Sequence, residues 1–335
     1  MHVTRGNPKE GAMSGRLGSR QVSAVVVVFA FAACAALGGG SAAASAKKCG
    51  TVTLNEQAWA GSTANTYVAK NVLEKSLGCK VKITQITEIP VYQAMANGKT
   101  DAVLEDWQHV DQYKQYITKQ HTVVMGGPNG VTGHIGWYIP TYLMQQYPQF
   151  KTWKGLKGKE SIFKSPESGS QGMFLGGDPS YVQKDQQLIK ALKLNFKFVS
   201  VGAEPAQVAR WSQLYKQHKA VLFYWYTPQY LNLQYKLSEV ILPKRFKGCQ
   251  DDAKAGGNVA KYKCAYDHIV LNKVFSAKFS KSGSPAYAVL KRFSWSNTDQ
   301  ETVAKYIAGD HINPDKAAQK WISAHQAKVN KWLGK

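Results

Sequence analysis

At 335 residues, with 44% hydrophobic and 19% charged content, the chain can form one large domain or two ordinary ones, and a disordered or fibrous chain is excluded. A formal net charge of +22 raises nucleic acid, an anionic wall or acidic lipid as partners. Beyond residue 33, however, the arginines are only Arg210, Arg245 and Arg292. Arginine is the side chain suited to bidentate phosphate and base recognition, so the lysine excess reads as a solvated surface, and no nucleic-acid partner is expected.

Arg5, Lys9, Arg16 and Arg20 precede an apolar run from Val22 to Ala33, the order and length of a secretory signal and too short to span a bilayer comfortably. Two processing sites compete. Ala44-Ser45-Ala46 suits ordinary cleavage, and Phe31-Ala32-Ala33-Cys34 is similar to a lipobox, with Phe31 in place of leucine, that would lipidate Cys34 and leave residues 38–46 as a flexible tether. The other four cysteines, an even number in an exported chain, suggest disulfides. Cys49 and Cys79 each open a predicted strand of one βαβ unit, which places them within bridging distance. Cys249 then pairs with Cys264 by remainder. A zinc site is the rival, but these spacings lack the C-x-x-C pattern, and no metal is expected.

Residues 51–54 read as a strand, Trp59 lies in the loop that follows, and Val68, Val72, Leu73 and Leu77 mark one face of a helix ended by Gly78. A second strand over 81–86 and a helix over 91–97 lead to a buried strand over 101–104, followed at once by Glu105-Asp106-Trp107. An acid/base pair, a metal site and a cation-binding wall compete for that tripeptide. Adjacent carboxylates on an extended segment face opposite ways, and His109 stands alone as a surface residue, which leaves the cation wall, needing only one ring and one carboxylate.

Residues 127–136 read as a Gly-rich loop leading into Trp137-Tyr138, with no Gly-Lys-Ser/Thr to make it a phosphate cradle. A helix over 142–147, a long Gly/Ser/Pro loop over 165–180, a helix over 184–192, a strand over 196–201 and a helix over 205–217 follow. The strand from residue 220 then ends in Tyr224-Trp225-Tyr226-Thr227-Pro228-Gln229, where proline stops the ladder and delivers aromatic rings to a strand's carboxyl end. The remainder reads as a basic loop stapled by the second cysteine pair, a strand over 267–272 and helices over 285–293, 298–308 and 314–332, with Trp321 and Trp332 as packing residues.

The ordered set W-A-G-S, Y-Q-A-M-A-N-G-K-T-D-A-V-L-E-D-W, G-W-Y-I-P-T-Y, F-Y-W-Y-T-P-Q-Y, S-P-A-Y-A-V-L-K-R-F and A-A-Q-K-W, spread over about residues 50 to 333, resembles the glycine betaine/choline/proline-betaine substrate-binding proteins of ABC importers. The resemblance implies an α/β, two-lobed type II periplasmic-binding-protein fold with the ligand cleft between the lobes. It implies a leader and tether over 1–46, lobe I over 47–138, lobe II over 139–245 and a return segment over 246–335 whose stapled loop spans 246–265. It further implies capture of glycine betaine, proline betaine, choline or carnitine in an aromatic cage, without catalysis or cofactor, by an extracytoplasmic or lipid-anchored monomer that delivers the ligand to a membrane permease. Trp59 and Trp107 match box aromatics, and Trp137 and Tyr138 fall where some members place another. The family's G-W-T-P-H stands here as Trp225-Tyr226-Thr227-Pro228-Gln229, and counting back from Pro228 favours Tyr226 over Trp225 as the ring facing the ligand. Gln229 replaces the histidine that grips a betaine carboxylate, whereas Glu105 and Asp106 would favour a ligand of net positive charge. The competing readings are an exported hydrolase using Glu105 or Asp106, for which no nucleophile elbow or zinc motif is present, and a basic cell-surface adhesin.

Overall fold

The computed structural model describes residues 49–250 and 259–335, so the predicted leader, Cys34 and the tip of the stapled loop lie outside the described residues. Among the described residues no helix is long and apolar enough to cross a membrane. The described residues belong to one compact unit built on a nine-stranded sheet.

The first βαβ unit forms as its periodicity predicts. Strand β1 (Thr51–Asn55) buries Val52 and Leu54, helix α1 (Ala60–Leu77) ends on Gly78 in the left-handed conformation, and strand β2 (Lys80–Thr84) lies parallel to β1. The Cys49–Cys79 disulfide ties the starts of these strands with Cα atoms 4.9 Å apart, and Cys249–Cys264 closes the later loop at 6.3 Å. Helix α2 (Pro90–Ala96), opened by proline where no amide partner is needed, leads to strand β3 (Ala102–Asp106), which is parallel to β1 and buried throughout.

The long strand β4 (Val123–Pro140) corrects the expected Gly-rich loop. Its register against the return strand shifts between Met125 and Gly127 and between Pro128 and Thr132, with Gly127 and Gly130 at φ of 84° and 91°. The glycines therefore mark bulges inside a strand, where positive φ is needed, and do not end it. A second correction falls in the predicted loop over 165–180, which contains the fully buried strand β5 (Gly172–Gly176), its apolar core of only three residues masked by flanking glycines. Strand β6 (Phe196–Ser200), the helix Glu204–Lys216, strand β7 (Leu222–Thr227) and strand β8 (Leu237–Val240) follow, and strand β9 (His268–Ser276) returns through the sheet. The single helix expected over 314–332 is two, Pro314–Ala324 and Gln326–Leu333, broken at His325, whose Nδ1 lies 2.8 Å from the Trp321 carbonyl.

The strand order is β2-β1-β3-β9-β4-β7-β5-β6, with β8 pairing β4. Two parallel triplets, β2-β1-β3 and β6-β5-β7, flank the antiparallel pair β9-β4 that joins them. Each triplet presents its innermost strand, β3 or β7, toward the joint. The carboxyl ends of parallel strands are where open α/β sheets hold ligands, and both innermost strands end in acidic or aromatic residues.

Candidate functional site

Trp59 precedes the first residue of α1, with extended backbone, and Trp107 follows β3 directly. A single buried carboxylate aims both rings: Glu105 Oε1 accepts from Trp59 Nε1 at 2.9 Å and from Trp107 Nε1 at 3.0 Å, while Oε2 accepts from Asn65 Nδ2 at 2.8 Å. Two glycines make this geometry possible. A Cβ at Gly133 would stand 2.5 Å from the Trp107 ring, and one at Gly61 would stand 3.0 Å from Glu105 Oε2. Burial pushes the Glu105 carboxyl up to about 7, against the opposing pull of the two indole N–H donors.

From the opposite side come Tyr224 and Tyr226. They are two apart on β7 and so share a face, whereas Trp225 between them points the other way. Tyr226 meets Trp107 edge-on at 5.4 Å, and Tyr181, on the loop after β5, meets Trp59 edge-on at 5.5 Å. Trp59, Trp107, Tyr181, Tyr224 and Tyr226, with Val182 and Glu88, close around a cavity of only about 20 Å³. A neighbouring cleft of about 540 Å³ shares Trp59 and Tyr181 with it and is also lined by Glu56, Asp178, Glu204 and Gln229.

Charge separates these cavities from the rest of the molecule. Their ionisable lining groups other than tyrosine are Glu88, Glu56, Asp178 and Glu204, with no lysine, arginine or histidine, in a chain whose net charge is +22. Glu88 is 4% exposed and its Oε2 has no hydrogen-bond partner. Burial first, then repulsion from Asp106, Glu105 and Asp178, holds it well above the usual carboxylate range. Glu204 accepts from the Ala60 N–H at 3.0 Å and from the Tyr226 hydroxyl; burial raises its pKa, opposed by those two donors and by the Gln229 side chain. Several contacts cross the cleft: Ala60 N–H to Glu204, His109 Nε2 to the Ser180 carbonyl at 3.1 Å, and Gln229 N–H to Glu301 Oε1 at 3.1 Å.

Of the residues singled out in the sequence, Trp59, Trp107 and Tyr226 converge on the smaller cavity, and Gln229 lines the larger. Glu105 stands behind the indoles and lines neither. Asp106, on the other face of β3, accepts from the Tyr92 and Tyr113 hydroxyls and from the Gln108 N–H at 2.9 Å, fixing the turn after the strand. Trp137 is fully buried, donates to Asp185 Oδ1 at 2.7 Å and packs on Phe174; Tyr138 reaches Glu239; Trp225 donates to Asn232 Oδ1 at 2.7 Å and packs on Trp211. These three rings line neither cavity: alternation turns Tyr138 and Trp225 to the face opposite Tyr224 and Tyr226, whereas Trp137, paired with Tyr224 and on its face, is packed away against Phe174 and Asp185. His109, expected on the surface, is largely buried and lies 3.7 Å from Glu88. The sequence reading passed over Tyr181, Tyr224, Glu88 and Glu204. The period-2 rule applied to β7 would have found Tyr224 once Tyr226 was chosen. Nothing local marks the other three.

The model of the family described as the substrate binding domain of ABC-type glycine betaine transport systems matches residues 50–324. The trimethylamine N-oxide-binding protein of Pelagibacter ubique (strain HTCC1062) is 24% identical over 283 residues, covering 80% of this chain and 86% of that protein. Among solved structures, a lactococcal glycine betaine-binding protein in its closed, liganded conformation superposes with a TM-score of 0.64 at 21% identity, over 84% of this chain and 99% of that one. The glycine betaine/L-proline-binding protein of Borrelia burgdorferi gives 0.68 at 19% identity, over 84% and 96%. A choline-binding protein in complex with choline gives 0.68 at 18% identity, over 85% and 92%. The type II periplasmic-binding-protein fold is thereby shown, and the chain belongs to the family of substrate-binding domains of ABC-type glycine betaine transport systems.

Proposed function

We propose that this chain captures a small trimethylammonium or related methylated-nitrogen solute in the cage of Trp59, Trp107, Tyr181, Tyr224 and Tyr226 and presents it to an ABC permease. The carrying observation is the convergence of the rings: five aromatic side chains and Glu88 close on one point, around a cavity of about 20 Å³ that must widen to admit a ligand, with no basic side chain on its wall. A quaternary ammonium is attracted to such rings by their negative faces, on the order of 2 kcal/mol for a good desolvated contact. Glycine betaine, proline betaine, choline, carnitine and trimethylamine N-oxide are the candidates to titrate calorimetrically; saturable binding of at least one is expected, and silence from all five would remove the reading.

Trp59 and Trp107 are the ligand-facing rings of the first side, Tyr226 that of the second, and Glu105 acts by orienting the two indoles. Lobe I comprises residues 47–138 and the return segment 246–335, lobe II residues 139–245, and closure about the joining strands β4 and β9 is the working motion. Members of the family act as extracytoplasmic partners of ABC permeases, not as enzymes. The charge-then-apolar order of residues 5–33 supports export of this chain, with Cys34 as a lipid anchor. It works as a monomer, without a nucleic-acid partner.

A further inference from the structure

Helix α1 has 18 residues and no side-chain cap of its own, because Trp59 stands at its N-cap position. Four helices cap themselves through Ser276, Ser284, Ser296 and Asn313, whereas α1, like α2 and the helices Asp185–Leu192, Glu204–Lys216 and Gln326–Leu333, does not. A helix N-terminus left open at a ligand cleft is a site for an anion, since free N–H groups and the helix dipole both favour negative charge. Here the anion is supplied from across the cleft. Glu204 Oε1 accepts from the Ala60 N–H at 3.0 Å, and Oε2 accepts from Tyr226, whose ring is a wall of the cage.

The surroundings make that position hard for a second carboxylate to share. Glu204 is 4% exposed, and the other charged residues on the walls of the two neighbouring cavities are Glu56, Asp178 and Glu88, all acidic. One neutral donor stands there. Gln229 is 3% exposed, its Oε1 accepts from the Leu231 N–H at 2.7 Å, and its side-chain amide is turned to Glu204, whose pKa it lowers. An amide N–H can satisfy a hydroxyl or other uncharged oxygen, but it cannot balance a carboxylate placed beside Glu204.

We propose that Glu204 is the specificity-determining residue of this cleft: the protein's own carboxylate fills the anion position beside the cage, so the site takes methylammonium compounds whose far end is uncharged in preference to zwitterions whose far end is a carboxylate. The inference rests on the cage reading above and narrows it to one substrate class.

Choline and glycine betaine are the probes, since both present a trimethylammonium group and differ at the far end. Titration of the wild-type protein with each gives a selectivity ratio, and Glu204→Gln, which keeps the side chain's size and its acceptor for Ala60, gives the ratio without the charge. The expected result is at least tenfold preference for choline in the wild type, narrowed at least tenfold by the substitution. A purely structural role would weaken both ligands in parallel and leave the ratio unchanged, which would overturn the proposal. So would a wild-type protein that binds glycine betaine as tightly as choline, a result that needs no variant to fold. Loss of binding for both probes and every other methylammonium compound would instead remove the cage reading and this inference with it.

Discussion

Among the aromatic clusters of the described residues, the cage and a C-terminal cluster differ most plainly, because only the first surrounds a cavity. In the C-terminal cluster Trp321 stacks parallel to Trp332 at 5.8 Å and meets Trp295 edge-on at 5.2 Å, while Phe293 lies 4.6 Å from Trp332. The rings fill each other's space, and the indole N–H groups of Trp295 and Trp321 are buried without partners. In the cage the indole N–H groups of Trp59 and Trp107 end on one carboxylate and the ring faces are left to the cavity. Aromatic content therefore does not identify a binding site. A buried carboxylate behind an indole does not do so either, since Asp185 holds Trp137 in the same way away from both cavities; what sets the cage apart is that its rings converge from two sides of one cavity.

Substitutions should separate the two clusters. The largest effect is expected from Trp321→Ala, which should lower stability by about 3–5 kcal/mol through the cavity it leaves, as read by denaturant unfolding, with ligand affinity in the remaining folded protein unchanged. Trp107→Ala should weaken the ligand tenfold or more, on the order of 1.4 kcal/mol, by calorimetry; equal affinities for wild type and variant would erase the distinction between the clusters. Glu105→Ala should act through both cage indoles at once. Leaving buried donors unsatisfied costs about 1–3 kcal/mol each, so a lower unfolding midpoint and a several-fold weaker ligand are expected together, although Glu105 touches no ligand.

Acidity distinguishes the regions as well. Glu105 is held up at about 7 by burial, and Glu88 and Glu204 are raised by the same cause. An acid whose folded value lies above its unfolded one contributes stability that is complete below the unfolded value, near pH 4, and is lost as pH rises through the folded value. The ligand-free protein should therefore unfold more easily at pH 8 than at pH 5. A cation in the cage favours the ionised carboxylates, so choline affinity should rise over the same interval with release of protons, measurable by calorimetry in buffers of different ionisation enthalpy. The smallest effect belongs to Trp225→Phe, which alters the layer behind β7 and should change ligand affinity by less than about twofold; a tenfold loss would place that ring in the site.

The sequence made the first side of the cage legible because Trp59 and Trp107 sit immediately beside strands and helices whose periodicity is plain. The second side was half legible. Alternation along β7 assigns Tyr224 and Tyr226 to one face, but choosing that face needs the sheet order, which places β7 next to β4. Tyr181 lies after β5, a strand hidden among glycines, and Glu204 opens a helix whose N-terminus meets α1 only in the folded chain. Trp137 and Tyr138 illustrate the converse: an aromatic pair on a joining strand looks like a cleft pair, but the two line neither cavity, and Asp185 and Glu239 take their polar ends. The glycines of β4 misled in the same way, since a bulge and a loop share the same residue preference and only the ladder tells them apart.

The central claim is that the rings hold a positive charge and not merely a bulky apolar group. Its most direct test is to compare choline with 3,3-dimethylbutan-1-ol, which keeps the shape and the hydroxyl and replaces the ammonium nitrogen with carbon. Calorimetric titration should show choline binding about thirtyfold more tightly, the equivalent of roughly 2 kcal/mol of cation–π attraction in a desolvated cage. Equal affinities for the two would contradict it.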